Sequence, residues 1–225
     1  MKHISPDSGT GLDRYLGKNV LARVVSDLLN PLFLSPLVIF IISWILQLPA
    51  LTTFLVTSAA LIFYTIIPLI LAFYLIRTKH IISLDLPVRE TRSRLYIYSI
   101  ISAFVLFLIF LFNLESLDPL IVIISAIYFI NPIISLLINF SWKISIHTGA
   151  LASAGAILLG LTFFYPSLAS LNSYIFSLTI LFLLLPVMVW SRYRLSVHTL
   201  PELLGGIVTG FGLTIIELFL FNNLW

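Results

Sequence analysis

The sequence predicts an all-α membrane protein, a polytopic bundle of about six to seven transmembrane helices. Apolar residues make up 60% of the 225-residue chain and charged residues only 9%, a composition that suits a bilayer rather than water. The apolar residues form runs that approach the roughly 20 residues needed to cross the hydrocarbon. The few charged residues gather in short polar islands between those runs. At this length we expect a single membrane domain.

The chain begins with a polar segment, residues 1–29. Residues 1–10 predict a polar tail. In residues 11–29 apolar side chains recur near helical spacing while basic side chains fall elsewhere, which indicates an amphipathic helix in the headgroup region. An ordinary lead-in to the first span is the alternative. The segment lacks the apolar core of a cleavable signal peptide.

Residues 30–225 form the predicted transmembrane domain. Prolines inside its apolar runs are tolerated in membrane helices. Gly206 and Gly210 in the last run have the spacing that lets two helices approach closely, so we expect packing rather than catalysis there. The seven apolar runs are residues 30–48, 51–76, 95–113, 118–140, 149–166, 173–190 and 203–222.

The basic residues share one face of the membrane if the seven runs alternate in direction. All twelve Lys and Arg residues then lie on the face of the N-terminus, while Glu115 and Asp118 lie on the other. The positive-inside rule assigns the basic face to the cytoplasm. We therefore expect a multi-pass protein of the cell membrane with a cytoplasmic N-terminus. Because the basic residues are scattered among the spans, nucleic-acid binding is not expected.

In the polar island at residues 191–202, candidate catalytic side chains lie close together in the sequence. His198 and Glu202 are four residues apart and share a face if the segment is helical. A carboxylate there can keep one imidazole nitrogen protonated and leave the other free to act as nucleophile or base. The stretch from Thr199 to Glu202 also reads as a capping box that would start the last helix. The two roles are compatible.

A second island, residues 143–149, lies at the start of a helix rich in small residues. A helix N-terminus favours anions, so Lys143, Ser145 and backbone N–H groups can all point at a phosphate oxygen. His147 lies beside them as a candidate acid or base. The alternative is a set of polar residues at the headgroup level.

A third island, residues 77–94, contains Arg89, Arg92 and Arg94. Arg89 and Arg92 are three residues apart, and the planar guanidinium suits bidentate phosphate binding. A solvated loop held to anionic lipid headgroups is the alternative. Two spans separate each island from the next, so all three islands return to the same face.

Together the three islands supply what phosphoryl transfer requires: a nucleophile, an acid for the leaving oxygen, and cations for the phosphoryl oxygens. Two histidines and several arginines provide these groups without a metal. The sequence contains no DxxxD or HExxH pattern and no cysteine for disulfides or thiolate ligands. We expect neither a metal nor another cofactor.

The islands resemble, in order and spacing, the motifs of the type 2 phosphatidic acid phosphatase (PAP2) superfamily. The third motif of that family is Ser-Arg, five residues, His, three residues, Asp. The chain has Ser191-Arg192, His198 and Glu202 at these positions, with Glu in place of Asp.

The other two PAP2 motifs match less well. The second motif, Pro-Ser-Gly-His, keeps only its serine and histidine, as Ser145 and His147. The first motif, Lys, six residues, Arg-Pro, has no match around Arg89 or Arg92, and Lys79 is ten residues before Arg89. The chain therefore resembles a divergent member of the family.

The resemblance covers roughly residues 77–205 and implies a PAP2-like helical membrane fold. It further implies a metal-independent phosphatase that works through a phosphohistidine intermediate. The roles that it implies are His198 as nucleophile, Glu202 as the carboxylate that orients it, His147 as the acid for the leaving oxygen, and Arg192, Ser145, Arg92 and Arg89 as phosphate ligands.

The predicted function is hydrolysis of a lipid phosphate or diphosphate, either phosphatidate-like or isoprenoid, at the cytoplasmic headgroup level. One alternative is a membrane prenyltransferase, suggested only by Asp85 and Arg89, which would need paired aspartate-rich loops for magnesium. The other is a transporter or scaffold, against which the scarcity of charge within the spans argues. Glu217, inside the last span, stays without a role.

Overall fold

The computed structural model of the chain describes residues 19–78, 89–113 and 115–224, with the backbone alone at Ile76, residues 89–94 and Leu224. Helices joined by short turns make up these ranges, and no β-strand occurs within them. The helices are α1 (Val20–Leu28), α2 (Pro31–Ile45), α3 (Ala50–Leu61), α4 (Ile67–Arg77), α5 (Arg89–Phe112), α6 (Pro119–Asn139), α7 (Ile146–Phe164), α8 (Leu171–Thr179), α9 (Leu185–Arg194) and α10 (Leu200–Leu224).

Within the described ranges, six continuous helices are long and apolar enough to cross a membrane. The helices α3 and α4 together form one span, and α8 and α9 together form another. The helices α1 and α2 meet at a 45° bend and add a seventh span if they cross as one. The prediction of an all-α bundle with six to seven spans is confirmed at this level. The six spans are Ala50–Leu75, Leu95–Phe112, Pro119–Asn139, Ile146–Phe164, Leu171–Arg194 and Leu200–Asn223.

A π-helical turn joins the two halves of each composite span. Ile62–Ile66 lies just before Pro68, and Ile180–Leu184 just before Pro186. Proline has no N–H to donate, and its ring clashes with the carbonyl four residues earlier. A widened turn relieves that clash, so both helices pass their proline without a break.

The α7 helix forms the centre of the bundle. Of its span, 67% is buried, a larger share than in the other five spans. It packs along α10, where Gly149 meets Gly206 and Gly210, and a Cβ built at Gly210 would overlap the backbone of Gly149. The packing role predicted for these glycines is confirmed. This close contact fixes the register of the two helices whose first turns carry His147 and Glu202.

The α1 helix turns its large apolar side chains outward. Ala22 and Ser26 are buried against α9, and the exposed large apolar residues are Val20, Leu21, Val24 and Leu28, with Asp27 exposed between the last two. Such a helix can rest its apolar side in lipid and its small polar side on the protein. Residues 1–18, which hold the rest of the predicted tail and amphipathic helix, lie outside the described part of the chain.

The ends of the spans divide the charged residues between two sides. Because successive spans run in opposite directions, the end of α9 and the starts of α7 and α10 meet at one end of the bundle, which we call the basic end. The Lys and Arg residues whose side chains are described all belong to it: Arg23, Arg77, Lys143, Arg192 and Arg194. Glu115 and Asp118 lie in the turn at the opposite end.

Candidate functional site at the basic end

The turn between α9 and α10 reverses the chain within five residues. Ser196 has a φ of 54°, the left-handed conformation in which helices commonly end. Its N–H donates to the Tyr193 carbonyl at 2.9 Å, and the Val197 N–H donates to the Arg192 carbonyl at 3.3 Å. Because α9 ends in this tight turn, the chain reverses direction within a few residues, and His198 lies directly before α10.

His198 is held by a carboxylate one helical turn away. Its Nδ1–H donates to Glu202 Oε2 at 3.1 Å, and the Thr199 N–H donates to the same oxygen at 3.1 Å. Glu202 therefore caps α10 and orients the imidazole at once, so the two roles considered for it coexist. With Nδ1 protonated, Nε2 carries the free lone pair.

The His198 imidazole is neutral at physiological pH. Its side chain is only 8% exposed, and burial, together with the nearby Arg192 charge, lowers the pKa of His198 from 6.5 to about 4. Lys143 lowers this pKa further, while the hydrogen bond and the charge of Glu202 oppose the shift. A neutral imidazole is the form that can attack an electrophile.

Backbone and side-chain hydrogen bonds join the island at residues 143–149 to the turn and helix start that follow residue 191. The Ser145 N–H donates to the Glu202 carbonyl at 3.0 Å, and Thr148 Oγ1 donates to the Leu203 carbonyl at 3.0 Å. Lys143 Nζ donates to the Val197 carbonyl at 2.9 Å. Residues 143–149 and 191–202 thus form one unit, as expected from two islands on the same face.

Arg192 is a buried cation that contacts α1. The residue is 4% exposed, and its Nη1 donates to Ser26 Oγ at 2.8 Å. Next to it, Ser191 Oγ donates to the Ala22 carbonyl at 2.6 Å. Two neighbouring bonds therefore tie the end of α9 to the polar side of α1.

Three charged or titratable groups surround His147. Arg192, His198 and Arg23 all lie within electrostatic range of its imidazole, which is half-buried at the start of α7. Arg23 was not among the predicted site residues, because it was assigned to the polar side of a surface helix. A sequence signal for Arg23 does exist. The small or polar residues Ala22, Arg23 and Ser26 lie opposite the apolar side of α1, which is typical of a helix side that contacts protein.

Ser145 precedes α7 without capping it. Its residue is fully buried, its side chain makes no capping hydrogen bond, and its Oγ has no hydrogen-bond partner among the described residues. The N–H groups of the first turn of α7 point toward the same end and have no acceptor within the helix. A buried hydroxyl beside such N–H groups is suited to bind an anion.

Arg89 and Arg92 lie in the first turn of α5, but their side chains lie outside what the structure describes. Lys79 and Asp85 lie outside the described residues altogether. Across the described side chains, no group of three or more His, Cys, Asp or Glu residues is placed to hold a metal ion. The described site therefore consists of two histidines, a glutamate, a serine and three cations: Arg23, Lys143 and Arg192.

Comparison of the chain with models of protein families, with curated proteins and with solved structures gave no match.

Proposed function

We propose that the protein is an integral-membrane lipid phosphatase of PAP2 type. The observation that carries the proposal is a buried, neutral imidazole, His198, bound to Glu202 at 3.1 Å in the electrostatic field of the buried Arg192. A serine and a second histidine lie on the adjoining helix start. Phosphoryl transfer through a histidine requires this set of groups.

The reaction proceeds in two displacements. In the first, His198 Nε2 attacks phosphorus, an N–P bond forms, and the bond from phosphorus to the lipid oxygen breaks. In the complex, the negative charge of the bound phosphate favours the protonated form of His147. This imidazolium gives its proton to the lipid oxygen, which leaves as the lipid alcohol or, from a diphosphate, as the lipid monophosphate. Glu202 stabilises the imidazolium character that develops on His198.

In the second displacement, water attacks the phosphohistidine. His147, now neutral, takes a proton from the water, a P–O bond forms and the N–P bond breaks. Inorganic phosphate leaves and His198 returns to its starting state. Each step conserves protons, and the only reactants besides the side chains are the substrate and one water molecule.

The phosphoryl oxygens meet cations from three segments. Arg192 comes from α9, Lys143 from the turn before α7, and Arg23 from α1. Arg23 takes the place that the poorly matched first motif leaves open, while Ser145 Oγ and the first N–H groups of α7 provide neutral donors. Arg89 and Arg92 stay proposed as further ligands.

An apolar groove supports a lipid rather than a soluble phosphate as the substrate. The groove lies between α9 and α10, has a volume of about 420 Å³, and begins beside the turn that holds His198. Hydrocarbon bound there would leave its headgroup at the basic end, which we place at the cytoplasmic surface. The groove is lined by Leu181, Leu185, Pro186, Val189, Trp190, Tyr193, Leu200 and Ile207.

The test is phosphate release by the purified full chain in detergent with EDTA. Phosphatidic acid, phosphatidylglycerophosphate, farnesyl diphosphate and undecaprenyl diphosphate are offered in parallel. We expect release from at least one of them, and we expect Arg192→Ala to reduce it by roughly a hundredfold or more because the substitution removes a buried phosphate ligand. Arg194→Ala, two residues away and exposed, is the matched control and should keep full activity.

His198→Ala should abolish release, and 32P from a labelled substrate should stay on the wild-type chain but not on this variant. Wild-type turnover in His198→Ala would contradict the mechanism. Activity that appears only with Mg²⁺ would instead favour the prenyltransferase type of site.

A further inference from the structure

A group of polar side chains lies between α6, α7 and α10, inside the bundle. Asn131 Nδ2 donates to Thr214 Oγ1 at 2.9 Å and to Ser153 Oγ at 3.2 Å. The two hydroxyls share a hydrogen bond of 2.7 Å. Ser153 is two turns into α7, roughly 10 Å from the basic end at 1.5 Å per residue. We call Asn131, Ser153, Thr214 and Glu217 the intramembrane cluster.

Glu217 lies one turn further along α10, and its helical spacing from Thr214 is the reason to group it with these three side chains. It lies three residues after Thr214, so the two side chains share a face of the helix. Glu217 is 8% exposed, and both of its carboxyl oxygens are buried without a hydrogen-bond partner among the described residues. A carboxylate in this position is costly unless something neutralises it.

The cluster has more acceptors than donors. The two N–H groups of the Asn131 amide donate to the two hydroxyls, and one hydroxyl donates its hydrogen to the other. Three acceptor oxygens remain: Asn131 Oδ1 and the two oxygens of Glu217, all buried and without a partner in the described part of the chain. One hydroxyl hydrogen is left, and with a proton on Glu217 it would satisfy these oxygens one at a time, whereas a cation can bind several at once.

We propose that the intramembrane cluster binds a sodium ion. All of its ligands are oxygens, which hard cations prefer. The cluster holds a single carboxylate, so a monovalent ion leaves it neutral, while a divalent ion would leave a net charge buried in low dielectric. Glu217 supplies the charge, and Asn131 Oδ1 with the Thr214 and Ser153 hydroxyls supplies neutral ligands.

The test is thermal unfolding of the purified full chain in detergent at pH 8. NaCl, KCl and choline chloride are compared at equal ionic strength. Binding to the folded state raises Tm with ligand concentration, so we expect Na⁺ at a hundredfold excess over its Kd to raise Tm by about 5 °C relative to choline. Retention of 22Na⁺ by the wild-type chain measures the same binding directly.

Two variants locate the ion. Glu217→Gln keeps the shape but removes the charge, and it should lose both the Na⁺-dependent rise in Tm and the retained 22Na⁺. Thr214→Val removes one ligand and should weaken Na⁺ binding roughly tenfold. Thr162→Val is the matched control, because the Thr162 hydroxyl is also buried in α7 but donates to the Leu159 carbonyl of its own helix at 2.7 Å.

The proposal is overturned if wild-type Tm is the same in Na⁺, K⁺ and choline and no 22Na⁺ is retained. It is equally overturned if Glu217→Gln keeps the sodium dependence. A Tm that changes with pH but not with Na⁺ would identify a buried carboxylic acid that carries only a proton. If Glu217→Gln fails to fold, Thr214→Val and the direct binding measurement decide.

Discussion

Two opposing influences act on the protonation of His198. Burial and the charge of Arg192 disfavour the imidazolium, while Glu202 favours it, and the balance leaves the pKa at about 4. The protein thus keeps a histidine neutral over the whole physiological range and still has a carboxylate beside it, which would stabilise the positive charge formed in the proposed attack on phosphorus.

The pH profile of the proposed phosphatase follows from this balance. The rising limb that His198 contributes should lie at about pH 4, and His198 should add no further change up to pH 6.5, because its imidazole is already deprotonated there. Any falling limb belongs to His147, which must hold a proton to act as the acid. In Glu202→Gln the group that raises the pKa of His198 is lost, so the acidic limb of kcat/KM should move to lower pH.

Glu202→Gln should also lower kcat by roughly a hundredfold or more, because the imidazolium loses its partner. Glu115→Gln, exposed at the opposite end, is the control. An acidic limb near 6.5 in the wild type would show that His198 is not held neutral in this way. The measurement is kcat/KM from pH 3.5 to 8.

The same pKa makes stability depend on pH. The folded protein holds His198 with a pKa lowered to about 4, against about 6.5 in an unfolded chain, so the unfolded state binds more protons between these values. The free energy of unfolding is therefore unaffected by this group above pH 6.5. It decreases as pH drops from 6.5 toward 4.

Sequence reasoning placed His198, Glu202, Ser145, His147, Lys143 and Arg192 in one site, and the structure brings them to the same end of the bundle. The i,i+4 spacing of His198 and Glu202 could be interpreted directly because one helical turn decides it. Arg23 could not be found in this way, since its place depends on contacts of α1 with a helix more than 160 residues later.

At the scale of helices, the spans were predictable and their irregularities were not. A run of about 20 apolar residues needs no partner to be recognised. The π-helical turns before Pro68 and Pro186 had no such signal, because Pro36 and Pro132 lie inside helices without one. A proline alone therefore does not show where a helix widens.

The contact between α7 and α10 predicts a sharp contrast between two glycines of one helix. Gly210→Ala should destabilise the protein by about 2 kcal/mol or more, because the new methyl group would overlap the Gly149 backbone and backbone cannot move aside as a side chain can. Gly212→Ala meets nothing within 4 Å and should leave stability unchanged or raise it slightly.

Thermal unfolding of both glycine variants in the same detergent decides the point. If both variants unfold at the wild-type temperature, α7 and α10 do not pack this closely. Because the site depends on the same register, Gly210→Ala should also reduce phosphate release, whereas Gly212→Ala should not.

At the scale of the whole molecule, the alternation of spans predicts which turns share a side. The chain has no cysteine, so single cysteines can be introduced without background. Ser141→Cys, exposed in the turn before α7, and Ser116→Cys, exposed in the turn before α6, should react with an impermeant maleimide from opposite sides of the membrane.

By the positive-inside rule, Ser141→Cys should be labelled only from the cytoplasm and Ser116→Cys only from outside. Labelling in intact cells, followed by labelling of inverted vesicles, measures this. The reverse pattern would keep the fold but move the proposed site to the outer surface. Labelling of both positions from one side would contradict the number of spans between them.

The hydrogen bonds from α9 to α1 join segments that are synthesised far apart in time. Ala22 and Ser26 leave the ribosome early, whereas Ser191 and Arg192 follow after a further 169 and 166 residues. Most helix pairs can assemble as soon as their neighbour is inserted, but α1 must wait at the membrane surface until the end of α9 arrives. The cation set around His147 is therefore complete only after nearly the whole bundle has been built.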